Sequence, residues 1–525
     1  MSEKVDVCIV GTGYGGAIPA YYLAKAGQRV VMLERGPRRR TKSLQIDLDA
    51  KELLDVTHQF LGNGISVLVG SAVGGGSLVY SGASLRAPSF VFGRKEAGRR
   101  IWPRDLTRRA LDPFYRRAER GLGVHQLAFD EVAKRGGSWA LRMNKLGYRV
   151  DPMRQATTRC NHCGFCNTGC KFFRKNHLTM NYLRGAERAG AEIRPEHEAI
   201  QVRPADGGYR VVYGPTDGSS LARPQSPDPS SAQEIQARWV IVAGGAIGTA
   251  GLLGRSRAHL PELSRHLGRH LSGNGDLALA ALLPPDRRLP GRGRMEQHKG
   301  VAMDTVCYEW LESHGFIIIT QHQLTPATLV NGDGTPQWWG RRKKNVMKHY
   351  ADQMVGLAVI GVDGSPGEVR TVPDQSDEIG VTPAFGVSGI DFPIDRETDR
   401  LYSDARRIVG GLVERMGGTF LDVSLSLSPN YGEMAFSAHP LGTARRGDGP
   451  ETGVVDSYGE VFGYPGLFVT DGAAVPTALG VNPSLTIAAL AERSALRMVR
   501  QHGRRPARPP VANPHVRPRR SEALR

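Results

Sequence analysis

Apolar residues dominate residues 5–10, VDVCIV, and residues 29–34, RVVMLE, while the intervening AIPAYYLAKAG keeps a helical pattern. Short, nearly continuous runs of Val, Ile and Cys fit strands buried on both faces, as in a parallel sheet. The order strand, helix, strand therefore predicts an α/β unit at the start of the chain. Residues 238–253, RWVIVAGGAIGTAGLL, repeat the pattern with a buried strand that ends in Gly-Gly and leads into a helix. That segment fits a strand returning to the same sheet after a long excursion. Near the C-terminus, YPGLFVTDGAAVP reads as strand and turn. NPSLTIAALAERSALRMV then reads as an amphipathic helix, with Asn482 near its cap and Pro483 at its start. Residues 213–234 are a Gly/Pro/Ser-rich loop expected to tip a hairpin.

The glycines punctuating this pattern bring in chemistry. After the first strand comes GTGYGG, with Gly11, Gly13 and Gly16 in the G-x-G-x-x-G register. Gly11 allows a tight turn, Gly13 lets backbone approach a pyrophosphate, and Gly16 lets the helix pack on the strand. Glu34, closing the second strand, is placed for ribose hydroxyls, and its charge argues against a 2′-phosphate. The complete strand–helix–strand context predicts dinucleotide binding, without separating NAD from FAD. A second glycine run, Gly74, Gly75 and Gly76, lies in a stretch without turn-forming polar residues. It fits backbone pressed against a flat ligand, or a plain loop between elements.

Four of the six cysteines, Cys160, Cys163, Cys166 and Cys170, fall in the run C-x2-C-x2-C-x3-C. Three outcomes stay open for them. A [4Fe–4S] cluster is favoured by ligand number and spacing. Zinc would prefer two separated pairs. Reduced thiols or disulfides need no metal at all. Lys171, Arg174 and Lys175 beside the run would suit docking of an acidic electron-carrier protein.

The pieces GTGYGG, VGGGSLVYSG, HPLGT, LFVTDGAAVP and GVNPSLTIAALAER together resemble the glucose–methanol–choline (GMC) oxidoreductase family, and most closely its cholesterol-oxidase-like branch. The cysteine run also resembles a recurring element of that branch. The resemblance covers residues 1–115, 155–185, 235–275 and 430–500; nothing matches over 280–400. It implies FAD as cofactor. In such enzymes the His of H-P-L-G and the Asn of N-P sit over flavin N5, which carries over to His439 and Asn482. His439 would act as base towards an alcohol whose hydride passes to the flavin, and Asn482 would position substrate or flavin. Asp471 and Gly472 would lie by the phosphate or ribityl chain, Gly75 and Gly76 against the cofactor, and Asn482 with Pro483 at the pyrimidine end. The implied substrate is a bulky, hydrophobic alcohol, with O2 or an electron-carrier protein as acceptor. No acid of the kind used by sterol-isomerising members is found, so a carbonyl product without isomerisation is expected. Two alternatives are a flavin/iron–sulfur dehydrogenase that exports electrons through the cysteine run, and a non-catalytic flavin electron-transfer component.

The expected architecture is a Rossmann-type FAD-binding domain interwoven with an α+β substrate domain. Residues 1–275 give the FAD part, including the cysteine-rich 155–185. Residues 276–429 give a mixed or antiparallel substrate sheet with covering helices, and 430–500 complete the FAD part with the His/Asn pair. Composition adds limits. The 525 residues carry 69 Lys and Arg against 51 Asp and Glu, a net charge of +18. There is no nucleic-acid-binding motif and no aromatic-interleaved basic stripe. No apolar stretch is long and continuous enough for a membrane helix, and no signal peptide precedes the first strand, so a cytoplasmic location is expected. Residues 503–525, rich in Arg and Pro, are expected to be a disordered basic tail. Residues 326–350, with Trp338 and Trp339 beside a basic run, are candidate lid material.

Overall fold

β1 (Glu3–Val10), α1 (Tyr14–Lys25) and β2 (Val30–Leu33) form the anticipated opening unit. They belong to a computed structural model that describes residues 3–43, 56–216, 231–322, 340–371, 386–423 and 435–515. β1 pairs in parallel with β2 on one side, Val7 opposite Val30. On the other side it pairs in parallel with β3 (Gln233–Val242), Val7 opposite Trp239. Strand Glu192–Arg194 extends the parallel run beyond β2. Gly208–Pro215 joins β3 as an antiparallel hairpin, as expected from the loop composition, and His197–Ala205 adds a further strand. Leu467–Val469 pairs in parallel with the far end of β3.

Alternation divides this sheet between two cores. Val7, Ile9, Val30 and Met32 face a cluster containing α1 and α2 (Ser484–Gln501). Val5, Cys8, Val31 and Leu33 face the opposite cluster with the hairpin. Both faces are covered, which is why these strands read as near-continuous apolar runs.

The second sheet is antiparallel throughout. Its order is Thr419–Asp422, β4 (Leu277–Leu282), β7 (Met354–Gly361), β6 (Phe316–Gln321), β5 (Met303–Cys307) and Asp151–Pro152. One face carries Phe316, Ile318, Leu357 and Val359, packed with Leu401, Ala405, Val409 and Val413 of helix Arg396–Arg415. The other face carries Ile317, Ile319, Ala358 and Ile360, which share a single core with α1 and α2. One continuous core thus joins the two sheets. A small third sheet carries β8 (Ala435–Ser437) alongside Ile65–Gly70, Ala435 opposite Ile65. β8 delivers the chain to the H-P-L-G segment. No helix among the described residues is long and apolar enough to cross a membrane.

One expectation is corrected. Residues 503–515 are not an unpacked tail. The Ala507 carbonyl accepts from Arg117 Nη2 at 2.8 Å, and the Arg508 carbonyl accepts from the Tyr21 hydroxyl at 2.9 Å. Buried Asn513 donates to the Phe173 carbonyl at 2.8 Å. A proline-rich strand lacks donors and large apolar groups, but its carbonyls can still dock onto donors supplied by the helices. Residues 516–525, like Trp338 and Trp339, lie outside the described residues.

Candidate active site

The fingerprint glycines meet distinct demands. Gly11 has φ +94°, and a Cβ there would lie 2.2 Å from the Ala243 carbonyl oxygen. A Cβ on Gly16 would lie 2.0 Å from the Gly11 carbonyl oxygen. These two close the turn and seat α1 on the sheet. Gly13 is different: a Cβ there meets nothing within 4 Å. The second glycine run stands beside it, with a Cβ on Gly75 only 3.0 Å from Gly13 Cα, while Gly76 also faces open space. Two glycine loops therefore border one open cradle at the N-terminus of α1, where unpaired amides and the helix dipole favour a phosphate.

Thr12 ties the cradle together, and sequence reasoning missed it. Its hydroxyl donates to Glu34 Oε2 at 2.5 Å and accepts the Gly74 N–H at 2.9 Å. Its own N–H also reaches Glu34, at 3.1 Å, while Gly36 N–H takes Oε1 at 3.0 Å. Burial pushes the Glu34 carboxyl up, and these hydrogen bonds together with Arg35 offset only part of that rise. The G-T-G middle position was the available signal, since Thr there supplies a hydroxyl that no glycine loop needs.

Asp471 lies beneath the cradle. It touches the fingerprint, because a Cβ on Gly15 would lie 2.8 Å from it. Its carboxylate, however, is engaged within the protein. Oδ2 accepts from Gly245 N at 2.7 Å and Thr249 Oγ1 at 2.6 Å, and Oδ1 accepts from Ala473 N at 2.9 Å. Asp471 joins three chain segments under the cradle. Gly472 lies between the H-P-L-G segment and α2: a Cβ there would be 3.1 Å from the Pro440 carbonyl oxygen and 3.4 Å from Ile487.

His439 and Asn482, 43 positions apart, meet with Asn482 Nδ2 3.4 Å from His439 Nε2. Pro483 occupies the N-cap position of α2 without a side-chain cap, and Asn482 stands one residue before it. Asp276 completes the arrangement. Its Oδ1 accepts the proton of His439 Nδ1 at 2.8 Å, and its Oδ2 accepts Ala438 N–H at 3.0 Å. This bond fixes the tautomer and leaves the Nε2 lone pair facing Asn482. Burial pushes the Asp276 carboxyl up, while His439 and Ala438 oppose that rise. No sequence motif marked Asp276, which lies 163 residues from His439. Met303, at the start of β5, contacts both Asn482 Nδ2 at 3.8 Å and the Ser81 hydroxyl at 3.2 Å.

Two features test whether a flavin fits. Asn482 Oδ1 is a buried acceptor with no partner among the described residues, and the glycine cradle is open where side chains would fill it. A flat heterocycle carrying N–H donors at one end and a pyrophosphate at the other matches both. Gly13, Gly75 and Gly76 would flank it, and Asn482 would meet its polar edge.

The cysteine run fares differently. Cys160, Cys163, Cys166 and Cys170 are all free thiols. Among the described residues no set of three or more His, Cys, Asp or Glu is arranged to hold a metal. Two sulfurs are turned to local backbone donors instead: Cys160 accepts from His162 N and Cys170 from Arg174 N, each at 3.4 Å. Burial pushes the Cys160 thiol up to about 12 and raises Cys163 and Cys166. The four thiols are not gathered into a metal-holding group among the described residues, and no electron path through a cluster is derived. Lys175 is also corrected as a docking residue. It is 1% exposed, and its ammonium donates to the carbonyls of Leu78 at 2.6 Å, Tyr80 at 2.9 Å and Cys166.

Comparison with known proteins gives a consistent result. The N-terminal GMC oxidoreductase family pattern matches residues 8–272, and the C-terminal one matches residues 422–491. A cholesterol oxidase of Mycobacterium tuberculosis is 28% identical, over 98% of this chain and 95% of the relative. A long-chain-alcohol oxidase of Arabidopsis thaliana is 25% identical, over 95% of this chain and 69% of the relative. Among solved structures, pyridoxine 4-oxidase from Mesorbium loti superposes with a TM-score of 0.64, covering 95% of this chain and 99% of that one at 16% identity. That last likeness concerns the fold.

Proposed function

The chain belongs to the GMC oxidoreductase family of FAD-binding enzymes, and from that premise we propose that it oxidises a bulky, hydrophobic alcohol to a carbonyl compound at the His439–Asn482 pair. The observation that carries this is the pairing itself: an imidazole with one nitrogen tied to Asp276 and the other directed at the Asn482 carboxamide.

The chain's own residues account for the protonic half of the reaction. His439 Nε2 accepts the hydroxyl proton of the alcohol, and the resulting imidazolium stays bonded to the Asp276 carboxylate. Asn482 Nδ2 donates a hydrogen bond that steadies the substrate oxygen, a positioning role. Bound in the glycine cradle, FAD would supply the acceptor for the hydride leaving the carbinol carbon. Loss of that proton and hydride converts C–OH to C=O.

Substrate class is supported by the thioether side chain of Met303 set against Asn482 at the pair. It is supported too by relatives named for cholesterol and long-chain alcohols. Because these relatives are named oxidases, dioxygen is the acceptor we propose, in preference to a carrier protein.

The test begins with the visible spectrum. A flavoprotein absorbs near about 450 nm, and an alcohol substrate added without oxygen should bleach that band. His439→Ala should keep the pigment and lose roughly 10²- to 10⁴-fold in turnover, the range of general acid–base assistance. Unchanged turnover in this variant would remove His439 from the chemistry.

A further inference from the structure

The two members of the pair are held by one five-residue turn, S-G-N-G-D, residues 272–276. Asp276 takes His439 Nδ1 and Ala438 N, as described. Two residues earlier, Asn274 donates from Nδ2 to the Val481 carbonyl at 2.9 Å and accepts Leu479 N–H at Oδ1 at 2.8 Å. It thereby fixes the backbone whose next residue is Asn482. Ser272 exchanges two backbone hydrogen bonds with Leu441, each 3.0 Å, two residues beyond His439.

The turn is itself constrained. Asn274 and Gly275 have φ of 57° and 58°, both left-handed, and a Cβ on Gly275 would lie 2.7 Å from the Gly361 carbonyl. The buried Asp363 carboxylate clamps it, accepting from the Ser272 hydroxyl at 2.7 Å and from Gly275 N at 3.0 Å. Such over-determined left-handed backbone is retained where surrounding contacts enforce it.

We propose that this turn is the positioning device of the reaction, with two separable arms: Asp276 sets the tautomer and basicity of His439, and Asn274 sets the placement of Asn482. The inference rests on His439 being the proton acceptor. Two other titratable groups lie near the turn. Asp363 is one, its carbonyl taking Arg94 Nη1 at 3.1 Å. The buried Tyr402 of helix Arg396–Arg415 is another, within electrostatic reach of Asp276 and Asp363. Asp276 is the one anion bonded to the imidazole among the described residues.

The arms have different signatures. A carboxylate beside an imidazole favours its protonated form. Asp276→Asn should therefore keep the pigment, lower kcat by roughly 10²-fold or more, and move the rising limb of kcat/KM against pH down by about one unit. Asn274→Gly accommodates the left-handed backbone and should lower kcat by about 10-fold with that limb in place. Asp276→Glu, which keeps the charge, should hold the limb near wild type and serves where the Asn variant loses its pigment. A limb unmoved in Asp276→Asn overturns the proposal. A limb displaced in Asp276→Glu or Asn274→Gly as far as expected for Asp276→Asn does so too. Active His439→Ala would instead overturn the proton-acceptor reading beneath it, whereas inactive His439→Ala with an unmoved Asp276→Asn limb overturns this inference alone.

Discussion

Lys175 shows how one residue can be misread from its type. In sequence it stands with Lys171 and Arg174 and reads as surface charge; in the fold it is buried, with three carbonyl acceptors that join the cysteine segment to residues 78–80. A buried ammonium without a carboxylate is held by desolvated dipoles, and burial lowers its pKa from 10.5 to about 8. Above pH 8 the unfolded chain then holds more protons at this site than the folded one, so the contribution of this group to stability should rise with pH by up to about 1.4 kcal/mol per unit. Cys8 and Cys160, each raised from 9.0 to about 12, and Cys163, Cys166 and Cys307, also raised by burial, work in the opposite direction as the unfolded thiols ionise around pH 9. The Lys175 contribution is therefore read as the difference between the wild type and Lys175→Met. Lys175→Met should be less stable at pH 7 by roughly 1–3 kcal/mol, because three carbonyls lose their donor, and that deficit, measured by urea unfolding, should widen from pH 8 to 9. A deficit that stays constant or narrows across that interval would contradict the assignment.

At the scale of elements, the glycine loops separate folding from binding. Gly11 and Gly13 belong to the same motif, yet only Gly11 is required by the chain itself, through its positive φ and its contact with Ala243. Gly11→Ala should therefore lower stability by about 3 kcal/mol or more, from strain and overlap together. Gly13→Val puts its side chain into open space, so the protein should fold with a near-normal unfolding midpoint and fail to retain pigment. The ratio of visible to ultraviolet absorbance checks the second outcome, and an intact chromophore in Gly13→Val would mean that the cradle is not where the cofactor binds. These loops were legible because strand, tight turn and helix are sequence-local. Thr12 was not, since a hydroxyl acquires meaning only when Glu34 and Gly74 arrive beside it.

At the scale of the whole molecule, the C-terminal residues 503–515 act as a strap. They lie against α1, helix Arg108–Leu122 and the segment after the cysteine run, through Tyr21, Arg117 and Phe173. Deleting 503–525 leaves the donors of Tyr21 and Arg117 without these acceptors. It should cost roughly 2–3 kcal/mol and speed labelling of the 160–170 thiols by a soluble disulfide reagent. Labelling as slow as in the intact protein would show that the strap does not protect that segment. The tail was misread because composition reports apolar content, whereas this strap is held by main-chain carbonyls that every sequence possesses.

What the sequence determined alone was whatever neighbours along the chain can enforce: the strand–helix–strand opening, the glycine turn, the final amphipathic helix and the family resemblance carried by short motifs. Tertiary structure decided what depends on distant groups meeting. It brought Asp276 to His439 across 163 positions and left the four cysteines without a metal-holding arrangement despite their spacing. It also turned Lys175 inward. The physical reason is common to all three. Hydrogen bonding and desolvation act over a few ångströms in space, and only the folded chain fixes which groups lie that close.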